Sequence, residues 1–163
     1  MILQYFKKKE NEYKQIADNI YISILYKSKL LIKENHFREI SFNSSFEIIS
    51  IILIFYLKVL KQEKEYKYKK INDELIKILI QDLDKSLREL GIGDMSLGKY
   101  VKKYVKKFYY RLSVIDKIFD NYNEKKFIDY LNSLKNINEK NTQKLSNRLN
   151  EIYLNIKKDK EII

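Results

Sequence analysis

The chain has 163 residues with only three glycines and no proline, cysteine or tryptophan, where average usage would give roughly eleven glycines and eight prolines. Lacking cysteine, it can form no disulfide framework, thiolate nucleophile or thiolate metal site, and one histidine, His36, cannot supply a histidine metal cluster. Thirty-three Lys and Arg against twenty-two Asp and Glu leave a net charge of +11, which favours an anionic partner: nucleic acid, a lipid headgroup surface or an acidic protein.

At the N-terminus Ile2, Leu3, Tyr5 and Phe6 precede Lys7, Lys8 and Lys9. A signal peptide has the opposite order and a longer apolar run, so residues 1–9 read as a separate apolar and basic segment, either a basic tail or a weak anchor on an anionic leaflet. Residues 10–163 read as one helical domain, because apolar side chains recur at helical spacing and no period-two strand occurs. Tyr13, Ile16, Ala17, Ile20, Ile24 and Leu31 define a first helix over about 10 to 34. A loop follows from His36 to Asn43. Ser44 with Glu47 three residues on has the spacing of a capping box that opens a second helix, reaching about Gln62. Its uninterrupted apolar stretch, Ile48 to Leu57 between Glu47 and Lys58, falls short of the roughly 20 residues a bilayer requires. It is expected to be the central helix of a bundle, apolar all round because it is surrounded, in preference to the alternative of a membrane-inserting or client-binding helix.

A third helix spans about Lys69 to Leu90, with Leu75, Ile76, Leu79, Ile80, Leu83 and Leu87 on one face and Gly91 placed to end it. Ser96 can cap a fourth helix to about Asp120, Asn123 a fifth over Glu124 to Leu134, and Leu145, Leu149, Ile152 and Ile156 mark a sixth. The fold expected is an all-α, single-domain helical bundle of about six helices. The Gly-x-Gly at 91 to 93 is no dinucleotide loop, since Ser96 stands where the last glycine is needed and no strand precedes it.

The window from Gln81 to Arg111 is the most informative. Leu97, Val101, Tyr104, Val105, Phe108, Leu112, Ile115 and Phe119 share one face of the fourth helix and commit it to the core. Lys99, Lys102, Lys103 and Lys106 cluster opposite, with no acidic residue between Ser96 and Arg111. Such a run is either an ordinary solvated face or a surface whose self-repulsion an anionic partner relieves. Asp84 with Arg88, and Lys85 with Glu89, stand four apart, and Asp82 lies on the edge of the apolar face. Asp82 and Asp84 do not make an acid and base pair, because two positions along a helix point about 200° apart. Gly91 and Gly93 are expected at positive φ, leaving Asp94 at the next helix's N-terminus where the macrodipole favours a carboxylate. Gly98 costs up to about 1 kcal/mol inside a helix, which points to a close approach by backbone or partner. Arg111, at the border of the apolar face, could reach a carboxylate of the preceding helix.

The run from Asp82 and Asp84 through Leu87-Arg88-Glu89, Gly91-Ile92-Gly93-Asp94, Gly98-Lys99 and Val101-Lys102 to Phe108-Tyr109 and Arg111 resembles the signature of the ubiquinol–cytochrome c chaperone family. These are assembly factors of the cytochrome bc1 complex in mitochondria and alphaproteobacteria. More loosely the resemblance extends from about Ile20 to Leu134. Tyr110 stands where the family pattern has glycine, and the loop at 41 to 45 lacks the usual proline and glycine. The resemblance implies a non-enzymatic assembly factor for respiratory complex III, without cofactor or metal, that binds and stabilises newly made cytochrome b or another bc1 subunit. It further implies the ribosome and a small partner protein as partners, and a place at the cytoplasmic side of the inner membrane, or the matrix side in a mitochondrion; peripheral contact with anionic lipid is instead what the apolar and basic N-terminus and the basic surface suggest. On this reading Lys99, Lys102, Lys103, Lys106, Tyr109 and Arg111 contact the partner. Asp82, Asp84, Arg88, Glu89, Gly91, Gly93, Asp94, Gly98 and Phe108 shape the hairpin that presents them. The alternative from charge alone is a basic helical domain that binds RNA or associates with the ribosome.

Overall fold

A computed structural model describes residues 2–34, 36–63, 65–134 and 136–159. Six α-helices follow one another: α1 (Ile2–Lys33), α2 (Phe42–Gln62), α3 (Tyr66–Glu89), α4 (Asp94–Asp120), α5 (Glu124–Asn132) and α6 (Thr142–Lys158), with a 3₁₀ turn at Glu139–Asn141 before α6. This is the all-α helical bundle expected, and no strand occurs among the described residues. Helix α1 begins earlier than its apolar spacing predicts, at Ile2. The side chains of the N-terminal segment 1–9 lie outside the described residues. An isolated antiparallel bridge joins Phe37 to Ile137: the Arg38 N–H donates to Asn136 O at 2.9 Å and the Asn138 N–H to His36 O at 2.9 Å. One residue pair carries no alternation, so periodicity could not announce it.

The chain forms two compact units, Met1–Tyr21 with Leu60–Tyr110 and Ile22–Val59 with Arg111–Ile163. In the first, Ala17, Ile20 and Tyr21 of α1, Ile71, Leu75, Leu79, Leu83 and Leu87 of α3, and Leu97, Tyr104 and Phe108 of α4 are buried. The buried α3 residues recur every four positions, the apolar stripe of an amphipathic helix. In the second, Phe55 lies at the centre of an aromatic cluster, with ring centroids 4.8 Å from Phe119 and 5.3 Å from Tyr153, and Phe119 meets Phe127 edge to face at 5.0 Å. Tilted and edge-on pairs of this kind add about 0.5–1.5 kcal/mol each beyond their area. Asn123 caps α5 as expected, its side-chain oxygen accepting the Lys126 N–H at 2.9 Å.

Helix α2 corrects the expected capping box. The helix starts at Phe42, and the box is made by Ser41 and Ser44: the Ser44 N–H donates to Ser41 Oγ at 3.3 Å and the Ser41 N–H to Ser44 Oγ at 3.4 Å. Ser44 Oγ also donates to Glu39 O at 2.6 Å. The whole box therefore sits one turn earlier than Ser44 and Glu47 suggest, and Glu47 is released for another role. By length and composition α2 is apolar enough to cross a membrane, but 83% of its most apolar window is buried. Ile48 and all residues from 50 to 60, Lys58 included, are buried, which makes α2 the enclosed helix the sequence predicts.

Candidate functional site

The α3–α4 hairpin of the first unit holds the signature residues from Asp82 to Tyr109, and Arg111 belongs to the second unit. Helix α3 ends with Leu90 as its cap; the Gly91 N–H donates to Arg88 O at 2.9 Å and the Ile92 N–H to Leu87 O at 3.1 Å, the two bonds of a Schellman motif. Gly91 has φ +83°, the left-handed conformation that favours glycine at this position. Gly93 does not share it. Gly93 instead caps α4 through its carbonyl, which accepts the N–H of Ser96 at 2.9 Å and of Leu97 at 3.0 Å. The cap assigned to Ser96 thus belongs to Gly93, and Ser96 lies inside the first turn.

Asp94 opens α4, where the helix N-terminus favours its charge. Arg88 bridges the turn, donating from Nε to Asp84 at 2.8 Å and from Nη1 to Asp94. Hydrogen bonds to Asp84 and then Asp94 hold its guanidinium above the ordinary arginine value. Lys85 and Glu89, at the same spacing as Asp84 and Arg88, form no ion pair among the described residues. Asp82 accepts the Tyr21 hydroxyl at 2.8 Å, tying α1 to α3 within the unit. Burial first, then the adjacent Asp82 carboxylate, pushes the Tyr21 phenol far above its usual range, so it remains a donor. Asp82 and Asp84 therefore serve separate partners.

Gly98 is exposed, and a Cβ built on it would meet nothing within 4 Å. The close approach expected there does not occur among the described residues. Lys99, Lys102, Lys103 and Lys106 are all exposed and, with Lys107 and Tyr110, line one shallow groove along α4. Tyr109 is half exposed, its ring edge-on to the buried Phe108 at 5.6 Å.

Arg111, expected among the contact residues, faces inward instead. Its side chain is 9% exposed, and it grips Glu47 through both Nε and Nη2 while stacking over the Phe46 ring at 5.3 Å. The carboxylate it reaches belongs to α2, not to the preceding helix α3. A second clamp joins the same two helices, and both clamps lie within the second unit. Lys58 Nζ donates to Asp116 Oδ1 at 2.7 Å, Asp120 Oδ1 at 2.6 Å and Asp116 O at 3.0 Å. Burial pulls the Lys58 ammonium down, but the hydrogen bonds to Asp116 and Asp120 outweigh it and keep the pKa above the usual lysine value. The clamps have opposite polarity: α2 supplies acid at 47 and base at 58, and α4 supplies base at 111 and acid at 116 and 120. A slip of one helix along the other would bring charges out of register, so the pair fixes alignment more surely than it adds stability. Sequence reading missed this arrangement; buried charges bounding an apolar run were its only local signal.

No group of three or more metal-ligating side chains stands together among the described residues. What the site offers is a capped hairpin carrying a basic face. A family model described as ubiquinol–cytochrome C chaperone matches residues 38–152, from the loop before α2 into α6, beyond the Leu134 limit of the sequence resemblance. The crystal structure of the Cbp3 homolog from Brucella abortus is similar at a TM-score of 0.80 and 22% identity, covering 99% of this chain and 91% of that one. Likeness at that identity speaks for the fold. No curated protein matches the chain. The family match spans well over half of the residues, and the chain belongs to the ubiquinol–cytochrome c chaperone family.

Proposed function

We propose that this chaperone binds newly made cytochrome b, or another subunit of the bc1 complex, at the membrane surface and stabilises it until it joins the complex. The observation that carries the reading is the family match over residues 38–152, which takes in the α2–α4 clamps and the whole signature hairpin. A chaperone role comes with the family and requires no chemistry of the protein itself. The client, the ribosome and a small partner protein as further contacts, and the place at the cytoplasmic or matrix side of the inner membrane belong to the proposal. The geometry is consistent with it: Asp82 and Asp84 are spent on Tyr21 and Arg88, whereas the lysines of α4 and Tyr109 face outward.

Removal of the gene from cells that make this chain tests the role. The expected result is loss of assembled bc1 complex and of its b-type haem absorbance, with other respiratory complexes at their normal level. An unchanged bc1 level in the deletion strain would overturn the assignment.

A further inference from the structure

We infer that the outer face of α4 is a docking surface for the phosphate headgroups of an anionic lipid bilayer. The inference rests on the membrane-surface reading above for its setting, and on the following observations for its content. Met95, Lys99, Lys102, Lys103, Lys106 and Tyr110 project within a narrow sector of the helix at 100° per residue, and all are exposed. From Lys99 to Tyr110 the stripe runs roughly 16 Å at 1.5 Å per residue. No carboxylate interrupts it, so each ammonium feels several like charges on adjacent turns. A planar sheet of negative charge relieves that repulsion along the whole stripe at once.

Three features favour lipid over RNA. First, the stripe holds lysine alone: compact point charges that suit diffuse headgroup charge, without the planar guanidinium or amide forks that read base edges. Second, neighbouring aromatic faces are covered. Lys103 Nζ lies 5.9 Å from the centre of the Tyr100 ring and Lys107 Nζ 5.0 Å from that of Tyr104, leaving those rings poorly placed to stack on bases. Third, the stripe ends in side chains that a bilayer interface accommodates and a phosphodiester backbone does not. Met95 is fully exposed at one end, with Leu90 at 59% exposure at the start of the same turn, and Tyr109 and Tyr110 lie at the other. An apolar tip with tyrosines beside basic residues is the composition of an interfacial anchor.

The test is flotation of the purified full-length chain with vesicles of phosphatidylcholine alone, or of phosphatidylcholine and phosphatidylglycerol mixed three to one. Binding to the anionic vesicles only, weakening as salt is added, is expected. Each lysine near such a surface changes partitioning about fivefold, so Lys99/Lys102/Lys106→Gln should weaken binding on the order of a hundredfold. A control with the same loss of charge at other exposed lysines, Lys125/Lys126/Lys144→Gln, should keep most of it. Met95→Gln should weaken vesicle binding further and leave helicity by circular dichroism unchanged. The inference is overturned if neutral and anionic vesicles bind alike, if the stripe variant and the control lose the same amount, or if the stripe substitutions abolish binding of single-stranded RNA while sparing vesicles. Client capture in detergent, where no bilayer exists, reads the chaperone assignment separately, so either idea can fail alone.

Discussion

Replacing Arg111 probes the α2–α4 clamp and settles whether this residue is structural. Both partners are about nine-tenths buried, the guanidinium grips both carboxylate oxygens of Glu47, and its Cζ lies over the Phe46 ring at 5.3 Å. Arg111→Met keeps the volume but leaves the Glu47 carboxylate buried without a counter-charge, a situation that costs about 3–5 kcal/mol. A typical domain has roughly 5–15 kcal/mol in total, so the variant stays folded in the cold and loses much of its margin. With a urea slope near 2 kcal/mol per molar, the midpoint should fall by about 1.5–2.5 M at unchanged slope, read by far-ultraviolet circular dichroism. The double variant Arg111→Met/Glu47→Leu removes both charges and should recover most of the loss, to within about 1–2 kcal/mol of the parent. A single-variant cost below about 1 kcal/mol, or a double variant as unstable as the two singles summed, would refute the buried pair and return Arg111 to the surface.

The glycines should part company. Gly98→Ala meets no neighbour and should stabilise the chain by up to about 1 kcal/mol, while Gly91→Ala, at φ +83°, should cost about 1–2 kcal/mol; equal thermal shifts would contradict the hairpin geometry. Glu34 is held below the usual glutamate value, chiefly by a hydrogen bond from Arg148 with His36 adding to it, so its contribution is complete above the unfolded pKa and drains as pH falls through the lowered folded value. Acid titration of Glu34→Gln should therefore show a shallower fall in stability than the parent below about pH 4, and parallel curves would rule this out. Tyr21 has the opposite sign: burial raises its pKa, so its contribution is full below the unfolded tyrosine pKa of about 10 and is lost as pH climbs toward the folded value. Tyr21→Phe should flatten the alkaline branch at a cost of roughly 1 kcal/mol at neutral pH, whereas an unaltered alkaline branch would sink the assignment.

Features with local signals were legible before the fold was known. The α4 core face, the Gly91 stop and the Asn123 cap depend on residues within a few positions of one another, where helical spacing and backbone chemistry decide the outcome. Other local readings failed, among them the positive φ expected of Gly93, and two of them failed because near-equivalent candidates competed. Ser41 and Ser44 form the same box that Ser44 and Glu47 could, and Gly93 caps α4 with a carbonyl any residue possesses. The charged clamps were not legible, since their partners lie about sixty positions away: 64 from Glu47 to Arg111 and 58 from Lys58 to Asp116. Glu47 and Lys58 looked like the solvent edges of an apolar run, and tertiary pairing instead buries them. The basic face was visible as a composition, but what meets it depends on a surface outside the chain.

The most direct test of the chaperone account is to isolate the tagged full-length chain from detergent-solubilised membranes after a brief pulse of labelled amino acids, then follow what co-purifies during a chase. The account predicts that labelled cytochrome b is recovered at the start and disappears as it enters the assembled bc1 complex. Recovery of RNA with no labelled cytochrome b or other bc1 subunit at any time point would contradict it.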